Sequence, residues 1–297
     1  MGKLDGKVAA ITGSGRGIGR GIALLMAKEG AKIVVNDLGA SVDGQGVDKT
    51  PAQQVVEEIK RAGGQAVANA DNIATVKGGE NLIQTAVDSF GKIDILVNCA
   101  GILRDRMIFN MTEEEWDAVV AVHLKGHFCT IRPASALMRQ QKSGRIINFS
   151  SGSALGAPGQ PNYAAAKAGI LGLTYSCANA LAKYGITCNA IMPGAATRMT
   201  DTVPANFAQQ MGISSSDASQ GSPMDPANVA PIVVFLASDA SQDVTGQCFG
   251  ASGYRISLYT HLEPEKVIYS QGPWDLDHLF KVFKSTLGLD LKPPRML

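Results

Sequence analysis

Apolar residues fall into short unbroken runs, separated by longer segments in which they recur every three or four positions. The runs predict strands over residues 8–12, 32–37, 66–68, 93–98, 145–149, 187–192 and 247–250. The periodic segments predict helices over 18–29, 51–61, 79–90, 112–130, 163–183 and 227–237. Local signals fix several ends. Pro51 stands near a first helical turn, and Gly63 and Gly64 follow its end. Thr112 and Glu115 stand three apart as a capping box. Strands that are apolar on both faces and alternate with helices imply a parallel sheet covered on both sides. The expected fold is α/β, a doubly wound parallel sheet of Rossmann-like form.

Two stretches break the alternation. Residues 39–50 form a polar, glycine-rich insertion after the second strand. Residues 254–297 are richer in aromatics, proline and lysine, with Trp274, Leu276, Leu279, Phe280, Phe283 and Leu287 at helical spacing. That stripe is expected to dock on the main domain. The chain therefore divides into a catalytic domain, 1–253, and a C-terminal extension, 254–297, packing on the domain or on a neighbouring subunit.

Composition narrows the function. The 297 residues are 45% hydrophobic and 18% charged, enough for one large core. A net charge of +1 argues against a nucleic-acid binder. No apolar run has bilayer length, and the first residues lack a signal peptide's apolar region. Cys99, Cys129, Cys177, Cys188 and Cys248 are scattered and odd in number, which reads as reduced, packed thiols. A cytoplasmic chain without membrane or nucleic-acid partners is expected.

Candidate chemistry begins at the first strand-to-helix turn, Thr12-Gly13-Ser14-Gly15-Arg16-Gly17-Ile18-Gly19. Glycines there permit a tight turn and let backbone N–H groups approach a pyrophosphate, while the helix N-terminus favours its charge. Asp37 ends the second strand, where a carboxylate hydrogen-bonds ribose hydroxyls and repels a 2′-phosphate. NAD is thereby favoured over NADP, although Arg16 is a basic residue in the same turn.

Tyr163 and Lys167 lie four apart, on one helix face. A nearby ammonium is expected to lower the phenol's pKa from its ordinary value of about 10, making it a usable base. The stretch from Asn148 to Ser153 places serine hydroxyls at the carboxyl edge of the sheet, where ligands bind in this architecture.

Taken together, the TGxxxGxG turn, Asn98-Cys99-Ala100-Gly101, the serine after strand five, Tyr163-Ala164-Ala165-Ala166-Lys167 and Pro193-Gly194 resemble the short-chain dehydrogenase/reductase family over roughly residues 4 to 254. The resemblance implies a seven-stranded parallel sheet, a Ser/Tyr/Lys catalytic set and a homodimer or homotetramer. It also implies that Gly13, Ser14, Arg16, Gly17, Ile18, Gly19 and Asp37 hold the cofactor. By the same carry-over Asp71 and Asn72 flank the adenine, and Asn98, Ala100 and Gly101 line the ribose side. Pro193, Gly194 and Thr197 would meet the nicotinamide end, with Tyr163 and Lys167 beside it.

A narrower resemblance rests on Val35-Asn36-Asp37-Leu38-Gly39, Gly101-Ile102-Leu103-Arg104-Asp105, Val122-His123-Leu124-Lys125-Gly126 and Arg198-Met199-Thr200. It points to the (3R)-hydroxyacyl-CoA dehydrogenase units of peroxisomal multifunctional enzymes and their bacterial relatives. Oxidation of a 3-hydroxyacyl-CoA is therefore expected. A steroid or alicyclic alcohol dehydrogenase, or a catalytically silent NAD-binding sensor or scaffold, are the rival readings.

Two departures stand out. The wider family has Asn where His123 stands, so its proton relay is expected to run through a backbone carbonyl and water. His123 and His127 lack a third ligand, so no metal site is expected. Counting from the strand selects Ser151, and counting back from Tyr163 selects Ser150. Strand register is the stiffer ruler, which favours Ser151. Residues 200–221 are expected to cover the substrate.

Overall fold

The computed structural model describes residues 2–202 and 215–292. Eight strands form one sheet in the order β3-β2-β1-β4-β5-β6-β7-β8. They are β1 (Val8–Thr12), β2 (Lys32–Asn36), β3 (Gln65–Asn69), β4 (Ile95–Asn98), β5 (Gly144–Phe149), β6 (Ile186–Gly194), β7 (Cys248–Ser252) and β8 (Arg255–Leu258). The first seven pair in parallel, and β8 turns back antiparallel on β7, with Ser252 opposite Arg255. The eighth strand exceeds the seven that the family resemblance implied. It lies in the segment read as an extension, so the first residues of that segment complete the sheet.

Burial explains the layers. All of β1 is buried, with Ala9 and Ile11 in one apolar cluster and Val8 and Ala10 in the other. This is the two-residue period of a strand covered on both faces. On one face Ile22 and Met26 of α1 (Gly17–Lys28), Val55 and Ile59 of α2 (Thr50–Arg61) and Val233 and Leu236 of the helix Ala230–Ala237 pack together. On the other, Leu82 and Ala86 of α3 (Val76–Phe90) meet Ala134 and Met138. Strand order reverses between β1 and β4, and ligands bind at the carboxyl ends of strands beside such a switch point.

One predicted helix differs in form. Residues 112–130 were expected to run as a single α-helix; instead α4 (Glu113–Val120) passes through a π turn (Ala121–Lys125) into α5 (Gly126–Gln141). The Thr112/Glu115 capping box is present. A π turn inserts extra backbone without ending the helix, and here it carries the buried His123. The remaining α-helices among the described residues are α6 (Pro161–Leu181), α7 (Ala230–Ala237) and α8 (Leu276–Phe283).

Asp275 caps α8, accepting from the His278 N–H at 2.9 Å, but Leu276, Phe280 and Phe283 are exposed. Of the stripe expected to dock on the main domain, Trp274, Leu276, Phe280 and Phe283 are exposed, and Leu279 and Leu287 are half-buried. Of the expected substrate cover, residues 203–214 lie outside the described residues. No helix among the described residues is long and apolar enough to cross a membrane.

Candidate active site

The turn after β1 is shaped by close approach. Gly13 has φ +65°, and a Cβ there would lie 2.6 Å from the Ala100 Cα; one at Gly19 would lie 2.2 Å from the Gly13 carbonyl. Gly17 has φ +52°, with the Thr197 methyl 3.6 Å from where a Cβ would stand. Only glycine fits such positions without strain. The result is a cavity of about 700 Å³ bordered by Arg16, Ile18, Asp37, Asp71, Asn72 and Thr197, with Ala100 and Gly101 opposite the glycine turn. Backbone N–H groups at a helix start, an open glycine wall and a terminal carboxylate suit a dinucleotide.

Asp37 is fixed from two sides. Its Oδ2 accepts from the Gly15 N–H at 2.8 Å and its Oδ1 from the Gly39 N–H at 2.7 Å. The carboxylate is thereby oriented at the cavity wall, its remaining lone pairs available for hydroxyls. Arg16 lies at the same corner, 4.0 Å from Asp48. Arg198 is close enough for the Arg16 charge to lower its pKa, although burial contributes more.

Other predicted residues have committed side chains. The Ser14 hydroxyl donates to the Ile11 carbonyl at 2.7 Å, and Asn72 Oδ1 accepts from the Ala74 N–H. Asp71 accepts from Asn69 and Asn81. Asn98 is buried in a ladder: it donates to Asn148 Oδ1 at 3.0 Å and accepts from Thr130 Oγ1 at 2.7 Å. Asn148 continues the ladder to Thr174 at 3.0 Å. Thr12 Oγ1 accepts from the Cys99 and Ala100 N–H groups, which clamps that turn against the glycine loop. Pro193 and Gly194, Tyr163 and Lys167 lie outside the residues that border the cavity. Pro193 and Gly194 end β6 opposite Ala251 and Ser252.

The two serines point differently. Ser150 is buried, and its hydroxyl donates to the Lys167 carbonyl at 2.8 Å. Ser151 Oγ accepts from the Ser153 N–H at 3.1 Å, and its hydroxyl is near enough to Tyr163 to lower the phenol's pKa against the effect of burial. Of the two serines, Ser151 is the one whose hydroxyl acts on the Tyr163 phenol.

Lys167 Nζ donates to the Phe149 carbonyl at 2.6 Å and lies 5.4 Å from the centre of the Tyr163 ring. Burial lowers its pKa to about 8, partly offset by Cys99. The expected lowering of Tyr163 is not what this environment gives. Burial pushes the phenol up to about 12, Ser151 opposes it, and Asp105 and Cys99 add to the rise. Desolvation disfavours the phenolate more than its surroundings stabilise it.

Behind this pair lies the histidine departure. The His123 and Tyr163 rings meet edge-on at 5.0 Å, and Gly101 makes room: a Cβ there would come within 2.4 Å of His123 Cε1. His123 Nε2 lies 2.8 Å from the Ile102 carbonyl and 3.0 Å from its N–H, and Nδ1 is buried without a protein partner among the described residues. The His123 carbonyl, the expected relay acceptor, takes a hydrogen bond from His127 Nδ1 at 2.5 Å. Facing a carbonyl, that nitrogen must carry the proton. Burial, then the Lys167 charge, holds His127 down at about 3.

Residues 13–253 match the family described as "Enoyl-(Acyl carrier protein) reductase", within the short-chain dehydrogenases. The chain belongs to the short-chain dehydrogenase/reductase family. It is an oxidoreductase of that family. It is 43% identical to the hydroxyacyl-CoA dehydrogenase ChsB1 of Mycobacterium tuberculosis over 286 residues, 92% of this chain and 86% of that one. It is 41% identical to the peroxisomal multifunctional enzyme type 2 of Drosophila melanogaster, covering 86% of this chain but only 41% of that enzyme. A solved short-chain dehydrogenase from Mycobacterium avium superposes with a TM-score of 0.84 at 44% identity, covering 100% of this chain and 99% of that one.

Sequence reasoning did not single out Gln160 as a site residue, and it quoted Asp105 only within a motif. The two are hydrogen-bonded at 2.7 Å beside the tyrosine. Position three before Tyr163, in a loop meeting the helix start, is the signal that could have drawn attention to Gln160.

Proposed function

We propose that this dehydrogenase oxidises a 3-hydroxyacyl-CoA to its 3-oxo form with NAD. The observation carrying the reading is the buried Tyr163 phenol, on which the Ser151 hydroxyl acts and whose ring lies 5.4 Å from Lys167 Nζ, in a chain that also holds a glycine-walled cavity of about 700 Å³. The names of the relatives, a hydroxyacyl-CoA dehydrogenase among them, support the substrate class.

When bound, NAD supplies the hydride acceptor. Gly13, Ser14, Arg16, Gly17, Ile18 and Gly19 would hold its pyrophosphate, with Asp37 on the adenosine ribose and Asp71 and Asn72 at the adenine. Asn98, Ala100 and Gly101 would line the ribose side, and Pro193, Gly194 and Thr197 the nicotinamide end. Ser151 donates to the substrate oxygen and steadies its developing charge. Tyr163 exchanges the hydroxyl proton. Its raised pKa suits donation in the reductive direction; for oxidation positive charge must draw it down, and Lys167 is the chain's own source.

The same proposal takes the enzyme as a cytoplasmic homodimer or homotetramer in which residues 254–297 pack on the main domain or on a neighbouring subunit. Measuring NADH and NADPH formation with 3-hydroxyacyl-CoAs, cyclic alcohols and sterols tests the substrate and cofactor. Thioester turnover with NAD is expected, and Asp37→Ala should relax the cofactor preference. Turnover of cyclic alcohols alone, or an NADP preference, would overturn the corresponding part.

A further inference from the structure

Residues 39–50, the insertion after β2, form an arch with a closed base. The Asp48 N–H donates to the Leu38 carbonyl at 2.9 Å, so the two ends of the insertion meet. Gly39 has φ +72°, and a Cβ there would collide with the Asp48 carbonyl, so only glycine closes this base. The tip folds on itself. The Ser41 N–H donates to the Gln45 carbonyl at 2.9 Å, the Gly44 N–H to the Ser41 carbonyl at 3.0 Å, and the Gln45 N–H to Ser41 Oγ at 3.1 Å.

The partners of the tip fix where the arch runs. The Val42 carbonyl accepts from the Leu103 N–H at 2.9 Å, and the Asp43 carbonyl from Arg104 Nε at 2.9 Å. Gly44 packs beside them, with Ile102 Cδ1 3.0 Å from where a Cβ would stand. Those partners follow β4, the insertion leaves β2, and β1 lies between the two strands in the sheet. A segment tied to both must cross the carboxyl end of β1, where the glycine turn begins. Ala40, Ser41, Val42 and Gly44 accordingly border the same cavity as Gly13 and Gly17.

The two sides of this contact differ in firmness. Arg104 is anchored: its Nη1 donates to Glu114 of α4 at 3.0 Å, and its carbonyl accepts from Nδ2 of the fully buried Asn162 at 3.0 Å. No residue of 39–50 is buried. A segment with few buried apolar contacts and exposed hydrogen bonds opens at low cost. The arch is therefore the part that moves, and Leu103 and Arg104 are the fixed post it is pinned to.

We propose that residues 39–50 strap the bound nicotinamide dinucleotide over the glycine turn, so that the cofactor enters and leaves only when the tip unpins from Leu103 and Arg104. This rests on the dinucleotide reading of the cavity, and on neither the choice of NAD over NADP nor the acyl-CoA substrate. Arg104 is a positioning residue that acts through the strap. Because Asn162 holds the post and directly precedes Tyr163, cofactor retention is tied to the start of the helix that carries the tyrosine.

The test follows NADH leaving the full-length enzyme by stopped-flow fluorescence, with excess NAD as the chase; NADPH and NADP serve if that pair binds more tightly. In one variant Gly-Gly replaces residues 40–47, a short gap because Leu38 and Asp48 are already hydrogen-bonded. NADH should leave this strapless chain about 10-fold faster or more. Arg104→Ala loses a charge-assisted bond and should speed release about 10-fold, and Arg104→Lys, which keeps a donor, should recover most of that change. Placed in the strapless chain, Arg104→Ala should alter release by less than about 2-fold, since the segment it holds is gone. Melting curves and equilibrium NADH binding show which variants are folded. Release within about 3-fold of wild type from the strapless chain, or from Arg104→Ala should the strapless chain fail to fold, would overturn the strap. An Arg104→Ala effect of full size without the strap, or equal release from Arg104→Ala and Arg104→Lys, would overturn the pin. Wild type that binds neither NADH nor NADPH would instead sink the dinucleotide reading, and the strap with it.

Discussion

Gly101 offers a quantitative test of the His123–Tyr163 arrangement. In Gly101→Ala the new Cβ would stand 2.4 Å from His123 Cε1, 3.2 Å from Nε2 and 3.3 Å from Nδ1. Ordinary carbon contacts are about 3.5–4.0 Å, so the ring must retreat by roughly 1 Å. It is fully buried and held at Ile102, so retreat breaks the 2.8 Å contact of Nε2 with that carbonyl. Overpacking costs about 1–3 kcal/mol, and an unsatisfied buried polar group about 1–3 kcal/mol more. A total of about 2–6 kcal/mol should lower Tm by roughly 4–12 °C at about 2 °C per kcal/mol for a chain of this size. Because the ring packs on Tyr163, kcat should also fall, by about 100-fold for a displacement near 1 Å. Thermal melts and steady-state kinetics read both effects. His123→Asn in the same chain relieves the clash, so the double variant should be more stable than the two single losses sum to. A Gly101→Ala protein with wild-type Tm and kcat, or strict additivity in the double variant, would refute the reasoning.

The serine pair and the buried histidine make two further predictions. Ser151→Ala should lower kcat by about 100-fold with little change in Tm, whereas Ser150→Ala should chiefly cost about 1 kcal/mol of stability through its bond to the Lys167 carbonyl; melts and kinetics that reverse this assignment would reject it. His127, held down at about 3 by burial first and the Lys167 charge second, stays neutral in the fold while it binds a proton in the unfolded chain below about 6.5. Its contribution is present above about 6.5 and lost as pH falls toward 3, at up to about 1.4 kcal/mol per pH unit. Denaturant titrations of wild type and His127→Leu across that window should show a shallower slope in the variant, and parallel slopes would contradict the assignment.

Much of the architecture was legible because buried parallel strands must be apolar on both faces; β1 coincides with its predicted residues 8–12. The glycine turn was legible for a similar reason, since close backbone approach leaves one residue type. What escaped depends on contacts distant in sequence. The β8 return is decided by pairing with β7, while Arg255 to Leu258 is a short, mostly exposed segment without a strong strand pattern. The π turn leaves no signature in a sequence that stays helix-competent across it. The rise of the Tyr163 pKa is set by burial, which the four-residue spacing to Lys167 does not report. Side-chain commitments such as those of Ser14 and Asn98 likewise emerge only from their partners.

The central claim, that Tyr163 handles the proton beside a separately built cofactor cradle, is tested most directly by Tyr163→Phe. Turnover of the preferred substrate and NAD affinity by calorimetry should be measured on the same preparation. The account predicts that kcat falls by about 10³-fold while the NAD Kd stays within about 3-fold of wild type. Turnover retained at near wild-type level would contradict it, as would parallel loss of catalysis and NAD binding.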